Sequence, residues 1–114
     1  MTTRRKNTQC VPLSRSAGKS PIKMAVLGAG NMGTALAHAL AGNGHEVTVW
    51  DHFPEVVEDI RLRRENRRFL PGVRLHAGVR ATASPAECVA GAALIEVSVP
   101  SVFVTSTLAP VVPV

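Results

Sequence analysis

Three glycines at a fixed spacing are the first residues here whose types imply chemistry. Gly28-Ala29-Gly30-Asn31-Met32-Gly33 is a G-x-G-x-x-G. In such a turn the first glycine permits a tight bend and the second lets the backbone approach a pyrophosphate. The third lets the following helix pack close to the preceding strand. Gly28, Ala29, Gly30, Asn31, Met32 and Gly33 are therefore candidate contacts for a dinucleotide. The open amides and positive dipole end of the following helix would face the phosphates. Read blandly, the same glycines form an ordinary strand-to-helix turn that serves packing alone.

Two further candidates follow. Asp51 stands about 20 residues after the turn, where an acid hydrogen-bonds the adenosine ribose. A carboxylate there would also repel a 2′-phosphate and favour NAD over NADP. Capping the next helix is the other role open to it. His52 is either a contact at the adenosine end or a solvated loop histidine. Neither a Ser/His/Asp arrangement nor a metal cluster is visible. His38, His45, His52 and His76 are scattered over separate elements.

The elements that must position these residues can be read from the pattern. An apolar run, Ile22 to Leu27, predicts a buried strand, and Gly33 to Ala41 predicts a helix with Leu36, Ala37 and Leu40 toward the sheet. Gly42-Asn43-Gly44 ends that helix. His45 to Trp50 is a second strand, and Pro54 opens a second helix. Val56, Val57, Ile60 and Leu62 supply the apolar contacts of that helix. Its acids come early and its arginines late, as the helix dipole favours. Arg61 to Arg68 reads as a solvated helix end, because Glu65 interrupts it and no aromatic row accompanies it. Phe69-Leu70-Pro71-Gly72 makes an apolar loop closing on a turn.

A short extended segment is expected at Val73 to Leu75 and a third strand at Val79 to Ala81. Ser84 caps a short helix, Pro85 to Ala90, that stops at Gly91. Ala93 to Val99 reads as a fourth strand, in which Glu96 is awkward if both faces are covered. Pro100 and Ser101 end that strand on the side of the glycine turn. Pro110 and Pro113 argue against a long terminal helix. The fold class is α/β, a Rossmann-type partial doubly wound parallel sheet in the order βαβαβαβ.

Composition bounds the rest. A chain of 114 residues makes one small domain. Its net charge of +5 is concentrated in residues 1–23, which carry six basic residues and no acid. From Met24 onward seven arginines face eight acids, a poor case for nucleic-acid binding. Residues 1–21 read as a disordered tail, with residues 22–114 as the domain. The tail has no apolar core for a secretory signal and no amphipathic face for a transit peptide. It reads as a translation extension, with Met24 an alternative start. No apolar run reaches the roughly 20 residues of a membrane span. Cys10 and Cys88 are too few for a disulfide framework, so a reducing cytoplasm is the expectation.

Three blocks give these elements a family likeness. Ile22 to Ala37 holds the glycine turn, and Asn43-Gly44-His45-Glu46-Val47-Thr48-Val49-Trp50 closes the second strand on a tryptophan. Glu65-Asn66-Arg67-Arg68-Phe69-Leu70-Pro71-Gly72 is similar to an Asn-x-x-(Phe/Tyr)-Leu-Pro-Gly loop. With Val99-Pro100-Ser101, the chain resembles the N-terminal, cofactor-binding domain of NAD(P)-dependent glycerol-3-phosphate dehydrogenases over about residues 22–103.

The resemblance implies cofactor contacts from Gly28, Gly30, Asn31, Met32 and Gly33, with His52 at the adenosine end. It also puts Pro100 and Phe103 near the cofactor, which is NAD or NADP. Met32 replaces a usual aromatic residue, and Asp51 stands where a small residue is common. Ala93 and Glu96 interrupt what is normally an Asp followed by an apolar strand.

The family reduces dihydroxyacetone phosphate with NAD(P)H to sn-glycerol 3-phosphate, and the full-length enzymes form homodimers. The family's catalytic lysines and C-terminal domain have no counterpart by Val114. The expectation is therefore a truncated, cofactor-binding domain, inactive alone, with no catalytic residue of its own. A β-hydroxyacid-type dehydrogenase also shares the glycine turn, but not the Phe69 to Gly72 block. A non-enzymatic remnant or partner-binding fragment is the remaining alternative.

Overall fold

The computed structural model describes residues 20–100 and 103–111. Nearly all of the expected N-terminal tail, with Cys10, and Ser101 and Pro113 lie outside the described residues.

Four strands form one parallel sheet. They are β1 (Lys23–Leu27), β2 (Glu46–Trp50), β3 (Val79–Thr82) and β4 (Leu94–Val97), in the spatial order β3-β2-β1-β4. Parallel neighbours cannot be joined by hairpins, so each connection carries a crossover. The helices are α1 (Asn31–Gly42), α2 (Pro54–Arg63), α3 (Pro85–Val89) and α4 (Val104–Leu108). The register sets Met24 against Val47 and Leu94, and Leu27 against Trp50 and Val97.

Side chains alternate between two cores. Met24, Val26, Val47, Val49 and Val79 meet Ala37 and Ala41 of α1 and Val56 and Ile60 of α2. Ala25, Leu27, Trp50 and Cys88 fill the other face, against α3. Burying each large aliphatic chain contributes about 1.5–3 kcal/mol. The apolar run at β1 is thus covered on both faces, as a central parallel strand requires.

Several local expectations hold with altered bounds. Helix α1 starts at Asn31 and runs to Gly42. Its end uses Gly44, at φ 96°, as the left-handed residue, while Asn43 stays at φ −89°. Ser84 caps α3, its Oγ accepting from the Glu87 amide at 3.1 Å. Val73 to Leu75 forms no strand; Leu75 is instead buried in the larger core. Thr105 to Leu108 belongs to the single-turn α4.

Two expectations are corrected by tertiary placement. Leu62 is 71% exposed, because Val56, Asp59 and Ile60 set the inward face of α2 and Leu62 falls on the other. The fourth strand covers only Leu94–Val97 and is an outer strand of the described sheet, with Leu94 and Ile95 exposed. Glu96 is consequently not inside a doubly covered strand; it is half-buried and accepts a hydrogen bond from the Ser98 hydroxyl.

The arginines expected as a solvated helix end also have partners. Arg63 and Arg67 bind Asp59, and Arg64 donates to the His76 carbonyl at 2.5 Å. Arg68 pairs with Glu55.

Candidate dinucleotide-binding edge

The glycine turn leaves β1 at the carboxyl edge of the sheet, between β2 and β4. Ligands of open parallel sheets bind at this edge, where strand order reverses. Gly28 sits at φ 114°, and its amide donates to the Trp50 carbonyl at 2.7 Å. A Cβ on Gly28 would lie 2.8 Å from the Ser98 carbonyl carbon, and one on Gly33 would lie 2.0 Å from the Gly28 carbonyl oxygen. These two glycines are demanded by the chain's own packing.

Gly30 is different. A Cβ there would meet nothing within 4 Å, and its φ of −74° and ψ of −167° suit any residue. No protein atom requires a glycine at this point. The open space lies against the first turn of α1, whose first internal hydrogen bond runs from the Thr34 amide to the Gly30 carbonyl at 3.0 Å. The amides of Asn31, Met32 and Gly33 thus have no partner within the helix. Helix α1 has no side-chain cap and no acid in its first turn. Its positive end is available to an anion, and the space over Gly30 is open. These residues fit a pyrophosphate.

Asp51 ends the β2 side of the edge. Its Oδ1 accepts from the Ala29 amide at 2.8 Å, and its Oδ2 accepts from the Phe53 amide at 3.0 Å. The N-cap of α2 is Phe53, so Asp51 shapes the turn before the helix instead of capping it. Ala29 is fully buried, with its amide on Asp51 and its carbonyl on Asn66. Of the turn residues, Ala29 turns inward while Asn31 and Met32 are exposed.

The Asn66 to Gly72 loop closes over this turn. Asn66 is 0% exposed. Its Nδ2 donates to the Ala29 carbonyl at 2.7 Å and to Thr34 Oγ1 at 2.8 Å. Its Oδ1 accepts from the Phe69 amide at 3.1 Å. Asn31 Nδ2 donates back to the Phe69 carbonyl at 3.1 Å.

The outer rim is aromatic and cationic. The Arg68 guanidinium lies 3.9 Å from the Phe53 ring centroid and 5.1 Å from that of Phe69. His52 meets Phe53 edge to face at 5.5 Å.

On the β4 side, the Ser98 amide donates to the Leu27 carbonyl at 2.7 Å, and the Phe103 amide donates to the Pro100 carbonyl at 2.8 Å. Phe103 and Pro100 are exposed. The structure thus brings Gly28, Gly30, Asn31, Met32, Gly33, Asp51, His52 and Pro100 to one edge of the sheet. Asn66, Phe53 and Arg68 belong to the same edge and were not among the expected site residues. Asn66 and Arg68 had a signal in the loop block that carries them; Phe53 had none.

Among the described residues no three metal-ligating side chains converge. Cys88 is fully buried on the α3 face. Desolvation pushes its thiol up to about 11, and its Sγ donates to the Thr48 carbonyl at 3.2 Å, so it is no nucleophile. The only lysine among the described residues, Lys23, opens β1 at the opposite edge. A polar groove lined by Lys23, Glu46, Arg61 and Arg80 holds none of the expected site residues.

Known proteins share these features. A family model described as NAD-dependent glycerol-3-phosphate dehydrogenase N-terminus matches residues 23–114. The chain is 43% identical over 88 residues to a glycerol-3-phosphate dehydrogenase [NAD(P)+] of Trichlorobacter lovleyi, covering 77% of this chain and 26% of that protein. It is 48% identical over 88 residues to one from Azotobacter vinelandii, with the same coverage.

Among solved structures, a glycerol-3-phosphate dehydrogenase from Coxiella burnetii superposes with a TM-score of 0.74 at 30% identity. It covers 82% of this chain and 30% of that one. A Saccharomyces cerevisiae glycerol-3-phosphate dehydrogenase gives 0.73 at 26% identity, covering 80% and 30%. The chain therefore spans about a quarter of the length of the curated relatives it matches.

Proposed function

The chain belongs to the NAD-dependent glycerol-3-phosphate dehydrogenase family, as its N-terminal domain, and from that premise we propose that it binds NAD or NADP across the carboxyl edge of its sheet. The observation that carries this reading is Gly30. Its missing side chain leaves a space that no protein atom occupies, directly against an uncapped helix N-terminus.

In this reading the pyrophosphate lies over Gly30 and accepts from the amides of Asn31 and Met32. The adenosine extends past Asp51 and His52, and Pro100 and Phe103 flank the opposite side. The bound dinucleotide supplies hydride-transfer chemistry, and the chain supplies its binding and orientation. As part of the family's reaction, that hydride would go to dihydroxyacetone phosphate to form sn-glycerol 3-phosphate. In this reading the chain's own role is to bind and orient the cofactor.

No helix among the described residues is long and apolar enough to cross a membrane. A cytoplasmic location belongs to the same reading, and the buried free thiol of Cys88 suits it.

Trp50 provides the test. It is the only tryptophan, it closes β2, and its Nε1 donates to the Ala83 carbonyl at 3.1 Å. Titration with NADH and NADPH should quench Trp50 and give saturable sensitised nicotinamide emission. No response with either, up to about millimolar concentrations, would overturn the reading.

A further inference from the structure

Among the described residues, Arg68 is the one side chain at the carboxyl edge that carries a full positive charge and is held over two aromatic rings. We propose that Arg68 leaves Glu55 to bind the 2′-phosphate of NADP and thereby sets this chain's choice between the two dinucleotides. The inference rests on the proposed dinucleotide binding and names the residue that selects within it.

Four observations lead there. The first is place. Arg68 stacks on Phe53, two residues beyond Asp51, and Phe53 also meets His52. Dinucleotide folds receive the adenosine ribose just past the end of β2. The second is anchoring. Asn66 and Asn31 tie the loop that bears Arg68 to the glycine turn, so its main chain stays fixed relative to that turn.

The third is the nature of its present partner. Arg68 and Glu55 are both well exposed, with side chains 46% and 60% accessible. An exposed ion pair is weak, so the guanidinium can exchange one anion for another at little cost. The two rings keep it oriented while it does so. A planar guanidinium also matches phosphate oxygens in a two-pronged way that a histidine cannot.

The fourth is Asp51. The main-chain amides of Ala29 and Phe53 hold its carboxylate in place, so its negative charge is fixed at the end of β2. A chain that accepts NADP beside that fixed charge needs a compensating cation, and Arg68 is in position to supply it.

The test compares the full chain with Arg68→Gln and Glu55→Gln, measuring NADPH and NADH affinity for each by titration calorimetry, with far-UV circular dichroism as the folding control. Arg68→Gln should lower the NADPH-to-NADH affinity ratio about tenfold, the size of one charge-assisted hydrogen bond. Glu55→Gln removes the competing anion and should raise the ratio about threefold.

An unchanged ratio in Arg68→Gln overturns the inference, and so does an equal loss for both dinucleotides, which would make Arg68 a stacking platform for adenine. Binding of NADH alone by the unsubstituted chain overturns it while leaving the proposed function intact. Binding of neither dinucleotide overturns both.

Discussion

Asn66 Nδ2 lies 2.7 Å from the carbonyl oxygen of Ala29, joining residues 37 positions apart. The bond docks the loop carrying Arg68 and Phe69 onto the glycine turn. Asn66 is buried, and it also satisfies Thr34 Oγ1 and the Phe69 amide. Replacing it with alanine strands an acceptor on Ala29 and a donor on Phe69, each costing about 1–3 kcal/mol when buried. Asn66→Ala should therefore lose about 3 kcal/mol in urea unfolding, and limited proteolysis should cut first within residues 66–72. Unchanged stability would mean the loop docks by apolar packing alone.

The glycines of the turn should separate by function. Gly33→Ala places a methyl 2.0 Å from the Gly28 carbonyl oxygen, so the turn or α1 must shift. A loss of about 2 kcal/mol or more is expected. Gly30→Ala meets no protein atom within 4 Å and should leave the urea midpoint nearly unchanged. The same substitution should weaken NADH binding about tenfold or more, because the methyl fills the phosphate space. A Gly30→Ala chain that binds NADH as tightly as the original would remove Gly30 from the site.

Asp59 makes stability depend on acid. Its carboxylate accepts from the Arg67 amide at 2.9 Å, the Arg67 Nε at 3.1 Å and the Arg63 Nη1 at 3.2 Å. The Arg67 amide bond is the largest influence, and its pKa lies below the ordinary carboxylate value. Between the folded and unfolded pKa values the unfolded chain holds the extra proton, so stability rises with pH there. The contribution is complete above the unfolded value, near 3.9, and is lost as pH falls through the folded one. Urea midpoints between about pH 2 and 7 should show this acid limb, and Asp59→Asn should flatten it.

Cys88 should be inert while the chain is folded. Burial raises its pKa from the ordinary 9.0 to about 11, so almost no thiolate exists near neutral pH. In a Cys10→Ser background, iodoacetamide at pH 8 should label Cys88 only after urea unfolding. The raised pKa also means that unfolding releases a proton at alkaline pH. The favourable contribution is present below the unfolded value and is lost as pH rises toward about 11. Rapid labelling of the native chain would show that α3 opens.

The sequence by itself determined the local elements and the kind of ligand. An apolar run, a glycine turn and an alanine-rich helix specify a strand-turn-helix unit, because side-chain period and glycine's access to φ 114° at Gly28 act over a few residues. Ser84 and Pro85 likewise mark the start of α3 without help from the rest of the chain. The Phe-Leu-Pro-Gly block pointed to the family, although nothing in its pattern says where it docks.

Only the tertiary structure decided how the site is assembled. Asp51 could cap a helix or meet a ribose on spacing alone; the β1–β2 register brings its distant partner, the Ala29 amide, beside it, while its Phe53 partner lies two residues along the chain. Asn66 and Arg68 reach the edge only because loop 66–72 folds back onto the glycine turn and α1. The exposure of Glu96 and of Leu62 depends on which neighbours cover them. Hydrogen bonds and burial of this kind join residues tens of positions apart, and no local pattern encodes the partner. The sequence therefore carried the parts of the candidate site, and packing chose which of them share the carboxyl edge.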